Sequence, residues 1–152
     1  MGNICRSPSA QGVFQQLVDQ HTLSDRIIID SAGTHAYHVG NPPDPRAQAA
    51  ARRRGIDLGE QRARRVSPDD FSAFHYILAM DRDNLADLQE FAPGDHGCHL
   101  SLFLDYAPGL GYREVPDPYY GGESGFERVL DLIQAASEGL LARIRKDHLQ
   151  GV

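Results

Sequence analysis

Met1-Gly2-Asn3-Ile4-Cys5-Arg6-Ser7-Pro8-Ser9-Ala10 opens the chain and governs how the rest is read. Gly2 to Arg6 form a short turn, and Ser7-Pro8 reads as a helix start. Serine is a good N-cap, and proline at the first helical position gives up an N–H that has no partner there in any case. Apolar residues then recur at helical spacing, at Ala10, Val13, Phe14, Leu17 and Val18. A small-residue turn feeding a helix N-terminus aims several unpaired N–H groups at one point. With the helix dipole behind them they make an anion site. Arg6 adds a planar fork of donors matched to a tetrahedral oxyanion such as phosphate. Many helices begin with Ser-Pro near an arginine, so spacing alone does not assign the site.

Outward from this stretch, helical and strand patterns alternate. Arg26-Ile27-Ile28-Ile29-Asp30-Ser31-Ala32-Gly33 predicts a buried parallel strand ending in a glycine turn. Asp44-Pro45 is a second cap and first-position pair, opening a helix over 45–54 that carries Ala47, Ala50 and Ala51 inward and stops at Gly55. Arg52, Arg53 and Arg54 read as a solvated face that complements the helix C-terminus. Ser67-Pro68 starts a short helix through Phe74, and residues 76–81 predict the next buried strand. Residues 83–91 read as a helix with Leu85 and Leu88 on one face, and 100–104 as a last strand, with Cys98 a packing residue beside it. Ser124 and Glu127 form a capping box for a long C-terminal helix striped by Phe126, Val129, Leu130, Ile133, Leu140, Leu141 and Ile144.

This alternation is the signature of an α/β domain, a parallel sheet with helices on both faces. The 152 residues suit one domain, and 41% hydrophobic with 24% charged residues is ordinary for a globular chain. A net charge of -6 argues against general nucleic-acid binding. It leaves a local anion site open, because one arginine and a ring of N–H groups set the field there. Two cysteines make a disulfide framework implausible and point to a reducing cytoplasm. No apolar run is long enough to span a membrane, and no signal peptide precedes the first helix. None of the seven histidines has metal-ligand spacing, so neither metal nor cofactor is expected.

Gly2-Asn3-Ile4-Cys5-Arg6-Ser7-Pro8 closely resembles the phosphate loop of the low-molecular-weight protein tyrosine phosphatases, Cys-x-Gly-Asn-x-Cys-Arg-Ser. The resemblance implies that Gly2, Asn3, Ile4, Cys5, Arg6 and Ser7 bind phosphate. Cys5 is then the auxiliary loop cysteine, Arg6 the holder of two phosphate oxygens, and Ser7 the hydroxyl that stabilises the nucleophilic thiolate. The nucleophile itself, six positions before Arg6, falls one residue before Met1. Neither Cys5 nor Cys98 can replace it, because Gln11 and Leu104 stand where each would need its arginine.

The resemblance extends to Asp117-Pro118-Tyr119-Tyr120, the family's acid loop. Asp117 is then the general acid, protonating the leaving phenolate for about 10²–10⁴-fold in rate and afterwards activating water. An approaching phosphate dianion favours the protonated form it needs. Tyr119 and Tyr120 match the aromatic pair at the pocket mouth. As bare residues they read equally as surface aromatics, and Asp-Pro is also a common turn element. Ser31-Ala32-Gly33-Thr34, the stretch from Tyr37 to Ala47 and residues 76–81 also resemble family segments, so the likeness spans 1–152. Where many members carry a histidine supporting the loop asparagine, this chain has Gln61.

The fold implied is a single three-layer domain around a four-stranded parallel sheet, whose first, central strand is missing from this chain. Without it, neighbouring strands expose backbone groups at roughly 1–3 kcal/mol each, against a domain stability of about 5–15 kcal/mol. About ten further residues, a strand and the cysteine, are therefore expected upstream. The function implied is hydrolysis of phosphotyrosine in protein substrates, and of small aryl phosphates, through a phosphocysteine. A catalytically dead phosphate- or phosphotyrosine-binding protein is the alternative from another class. Arsenate reductase on the same fold ranks lower, because residues 80–92 lack the cysteines that relay its oxidation. No G-x-x-x-x-G-K-[ST] is present for a nucleotide.

Overall fold

The computed structural model describes residues 5–35, 38–94, 96–118 and 122–149. Helix α1 (Arg6–Gln20) starts at Arg6 with Cys5 as its N-cap, so Ser7 is not the cap but lies with Pro8 in the first turn. Proline fits there because the first four N–H groups of a helix lack partners within it. Ser9 closes the turn, its hydroxyl donating to the Cys5 carbonyl at 2.7 Å. Helix α2 (Pro45–Arg53) forms where Asp44-Pro45 predicts it, with Asp44 accepting from the Arg46 N–H at 2.8 Å. Gly55 ends it at φ +78°, a left-handed conformation that glycine adopts without strain.

The rest of the order is α3 (Asp70–Ala73), β1 (Tyr76–Ala79), α4 (Arg82–Phe91), β2 (His99–Leu102), two 3₁₀ turns (Phe103–Tyr106 and Pro108–Leu110) and α5 (Gly122–His148). β1 and β2 pair in parallel, with Tyr76 opposite His99 and Ala79 opposite Leu102, and α4 makes the crossover. Side chains of β1 point to opposite faces in turn. Tyr76 and Leu78 pack on the large core shared by α1, α2 and α5. Ile77 and Ala79 pack on a smaller core with Phe71, Leu88 and Leu102. The result is a three-layer α/β arrangement. Val18, Ala51, Ile133 and Ala136 are wholly buried where α1, α2 and α5 meet.

Three local expectations are corrected. The stretch 26–33 forms no strand, and only Gly33 enters a parallel bridge, to Arg65. Ile28 is 85% exposed, although Ile27 and Ile29 pack on the large core. A cleft of about 610 Å³ separates residues 27–33 from β1, so the two backbones do not pair. Among the described residues the sheet therefore has two strands, not four. The capping box at Ser124 does not form, because α5 already runs from Gly122 and the Glu127 carboxylate turns outward to Arg53 and Arg54. Those arginines are consequently part of an ion cluster with Glu127 and Asp131 rather than only a solvated face. Cys98 is half-buried beside the smaller core, its sulfur 3.2 Å from His96 Nδ1. Among the described residues no helix is long and apolar enough to cross a membrane.

Candidate active site

Arg6 is the best-held side chain at the N-terminal end of α1, only 6% exposed. Its Nη1 donates to Asp81 Oδ2 at 2.7 Å and to the Val115 carbonyl at 2.9 Å. Asp81 follows β1 and caps α4, its other oxygen accepting from the Asn84 N–H at 2.8 Å. Val115 lies alongside, donating its N–H to the Met80 carbonyl at 2.8 Å. One guanidinium thus joins the start of α1, the C-terminal end of β1 and the segment leading to Asp117. In α/β sheets that end of the strands is where ligands bind. Burial acts to raise the Asp81 carboxyl, but the Asn84 N–H and the Arg6 charge outweigh it and hold it below the usual carboxylate range.

Cys5 is buried beside this ion pair. Burial pushes its thiol up to about 12, with the Asp44 and Asp117 charges adding to the rise and Arg46 opposing it. A thiol held neutral is a poor nucleophile. Cys98 is also raised, again first by burial. Val115, whose carbonyl accepts from Arg6 at 2.9 Å, stands two residues before Asp117, so Arg6 and the segment leading to Asp117 share one end of the domain.

Asp44 and Arg46 are neighbours that the sequence marks only as a helix start. Burial raises the Asp44 carboxyl, but the Arg46 guanidinium and N–H bonds more than reverse this and keep it low. The Arg46 guanidinium in turn lies 5.2 Å above the Phe126 ring. Gln61 reaches the same turn from the connector, its Nε2 donating to the Pro8 carbonyl at 3.1 Å. Ser7 lines the cleft beside β1. Gly2, Asn3, Ile4, Tyr37, Tyr119 and Tyr120 lie outside the described residues. Among the described residues no group of three or more His, Cys, Asp or Glu side chains is placed to hold a metal ion.

A helix N-terminus, a buried arginine fixed by a carboxylate and a carbonyl, and a nearby second carboxylate suit oxyanion binding with proton transfer. Wider comparison agrees. The family model "low molecular weight phosphotyrosine protein phosphatase" matches residues 1–150. The low molecular weight protein-tyrosine-phosphatase YfkJ of Bacillus subtilis is 42% identical over 147 residues, covering 97% of this chain and 93% of that protein. The mouse low molecular weight phosphotyrosine protein phosphatase is 44% identical over 131 residues, 85% of this chain and 82% of its own. A crystal structure of the Entamoeba histolytica protein tyrosine phosphatase, with Hepes in its active site, superposes at a TM-score of 0.92 with 39% identity. It covers 96% of this chain and 93% of that one. With loop, fold and sequence in agreement over nearly its whole length, the chain belongs to the low molecular weight phosphotyrosine protein phosphatases, a family of phosphoric monoester hydrolases.

Proposed function

We propose that the protein hydrolyses phosphotyrosine in protein substrates, and small aryl phosphates, through a phosphocysteine intermediate. The observation that carries this reading is the Arg6 bridge to Asp81 and Val115, which ties the phosphate-loop arginine to the segment bearing Asp117. Nη1 is committed to those partners, and we assign the remaining edge of the guanidinium to two phosphate oxygens. Gly2, Asn3, Ile4, Cys5 and Ser7 complete the cradle, and Tyr119 and Tyr120 flank the ring. In the first step a cysteine thiolate attacks phosphorus, the bond to the phenolic oxygen breaks, and Asp117 delivers its proton to that oxygen. In the second step Asp117 takes a proton from water, which attacks phosphorus, releasing inorganic phosphate and restoring the thiolate.

The attacking sulfur is neither Cys5 nor Cys98, both of which burial holds neutral. We assign it to a cysteine at the end of a further strand, which fills the cleft between residues 27–33 and β1. The cleft supports this: its walls include apolar Ile27, Ile29, Ile77 and Phe103, and neither bordering backbone is paired across it. Residues 1–152 then form one phosphatase domain with that strand. The test is p-nitrophenyl phosphate hydrolysis by the chain as given and by a form extended upstream through the reading frame. Activity confined to the extended form is the expected result. Activity of the shorter form refutes the assigned nucleophile. Activity in neither, with phosphate still protecting the fold, supports a phosphate-binding protein without catalysis.

A further inference from the structure

Beside Asp117 lies a second hollow, of about 750 Å³, walled by Arg82, Tyr112, Arg113, Arg128 and Pro118. Three arginines, Arg82, Arg113 and Arg128, and two acids, Glu114 and Asp117, line this depression on a chain whose net charge is -6. Of the two acids, Glu114 is engaged by the Arg82 backbone N–H at 2.9 Å, at the start of α4. Arg128 is held 4.9 Å above the Tyr112 ring, a contact with the face of the guanidinium that leaves its edge donors to other partners. Arg113 reaches Asp105 only at the exposed surface, at 3.2 Å. Tyr112 is itself 49% exposed, an aromatic platform on which an arriving backbone or ring can rest.

We propose that this hollow selects protein substrates by binding acidic residues that flank the phosphotyrosine. The inference rests on the reading above, since it needs a phosphotyrosyl segment at Arg6. Asp117 belongs to the wall of the hollow and follows by two residues Val115, whose carbonyl accepts from Arg6 at 2.9 Å, so the two regions adjoin. A segment extended from the phosphorylated residue advances about 3.3 Å per residue and reaches the arginines within a few residues. Carboxylates meeting forked guanidinium groups gain paired hydrogen bonds as well as charge attraction. An alanine-flanked segment gains neither.

Binding of two fluorescent phosphotyrosyl peptides, one flanked by Asp and Glu and one by Ala and Ser, decides the matter by anisotropy. The acidic peptide is expected to bind about tenfold tighter at low salt, the sum of a few exposed ion pairs. That preference should shrink to less than about threefold at 0.5 M salt, where screening is strong. Arg113→Glu with Arg128→Glu should abolish it while inorganic phosphate still competes with the neutral peptide as before. Equal binding of the two peptides, or a preference that survives charge reversal, overturns the inference and leaves the phosphotyrosine reading intact. Failure of both peptides to compete with phosphate overturns both.

Discussion

Asp81 serves two elements at once, capping α4 through one oxygen and holding Arg6 through the other. Asp81→Asn keeps the shape and removes the charge, leaving a buried guanidinium without its counter-ion. Loss of about 1–3 kcal/mol is expected in urea unfolding at pH 7. Because the folded carboxyl is held low, its contribution is full above the unfolded value of about 3.9 and is lost as pH falls through the lower folded one. The wild-type protein should therefore lose stability more steeply below about pH 4 than the Asn variant, and identical acid slopes would count against the ion pair. Cys5 gives the opposite signature. Its folded thiol rises from 9.0 to about 12, so the unfolded chain sheds the proton first and stability falls between those values. The slope is about 1.4 kcal/mol per pH unit, and Cys5→Ser should remove it in alkaline unfolding curves. Arg6, Cys5 and Asp117 are legible in the sequence because each belongs to a short word. Asp81 and Val115 are not, since they meet Arg6 from 75 and 109 residues away and nothing local announces the meeting. A carboxylate at the end of a strand was the one available cue.

Helix α5 shows how packing overrides local signals. Gly139 lies in its middle, where glycine costs roughly 1 kcal/mol relative to alanine. The reason is the 3₁₀ turn Phe103–Tyr106, because a Cβ on residue 139 would collide with the Tyr106 carbonyl. Gly139→Ala should thus destabilise by about 1–3 kcal/mol in urea, against the direction of helix propensity. A stabilised variant would show that the turn moves aside freely. Glu127 illustrates the same competition at the other end. The capping box is a correct local pattern, yet Arg53 of α2 and its C-cap Arg54 claim the carboxylate. Asp44-Pro45 and Gly55 are read correctly because cap and stop are settled within a few residues. The strand over 26–33 is read wrongly because a ladder needs a neighbour, which no feature of the segment itself supplies. The hydrophobic stripe of α5, being periodic over many turns, survives all of this and fills the large core.

At the scale of the whole molecule, the cleft between residues 27–33 and β1 divides what would otherwise be a continuous sheet. Hydrogen exchange should report it. Amides of residues 27–32 are expected to exchange fast in the chain as given, and to become protected in the upstream-extended form together with those of β1. Equal protection in both forms would mean that the cleft does not receive a strand. Fold class is legible at this scale because alternation of helix and strand patterns survives local errors, whereas the number of paired strands is not. The Arg6 bridge has one more consequence, which concerns time rather than shape. Its partners lie 75 and 109 residues further along the chain. A growing polypeptide therefore carries the start of α1 long before it carries the residues that fix its arginine. Contacts of such long range form late in folding. The arginine at the N-terminal end of α1 is thus fixed only once the segment through Val115 is in place, and a nascent chain that ends before it holds that side chain without its partners.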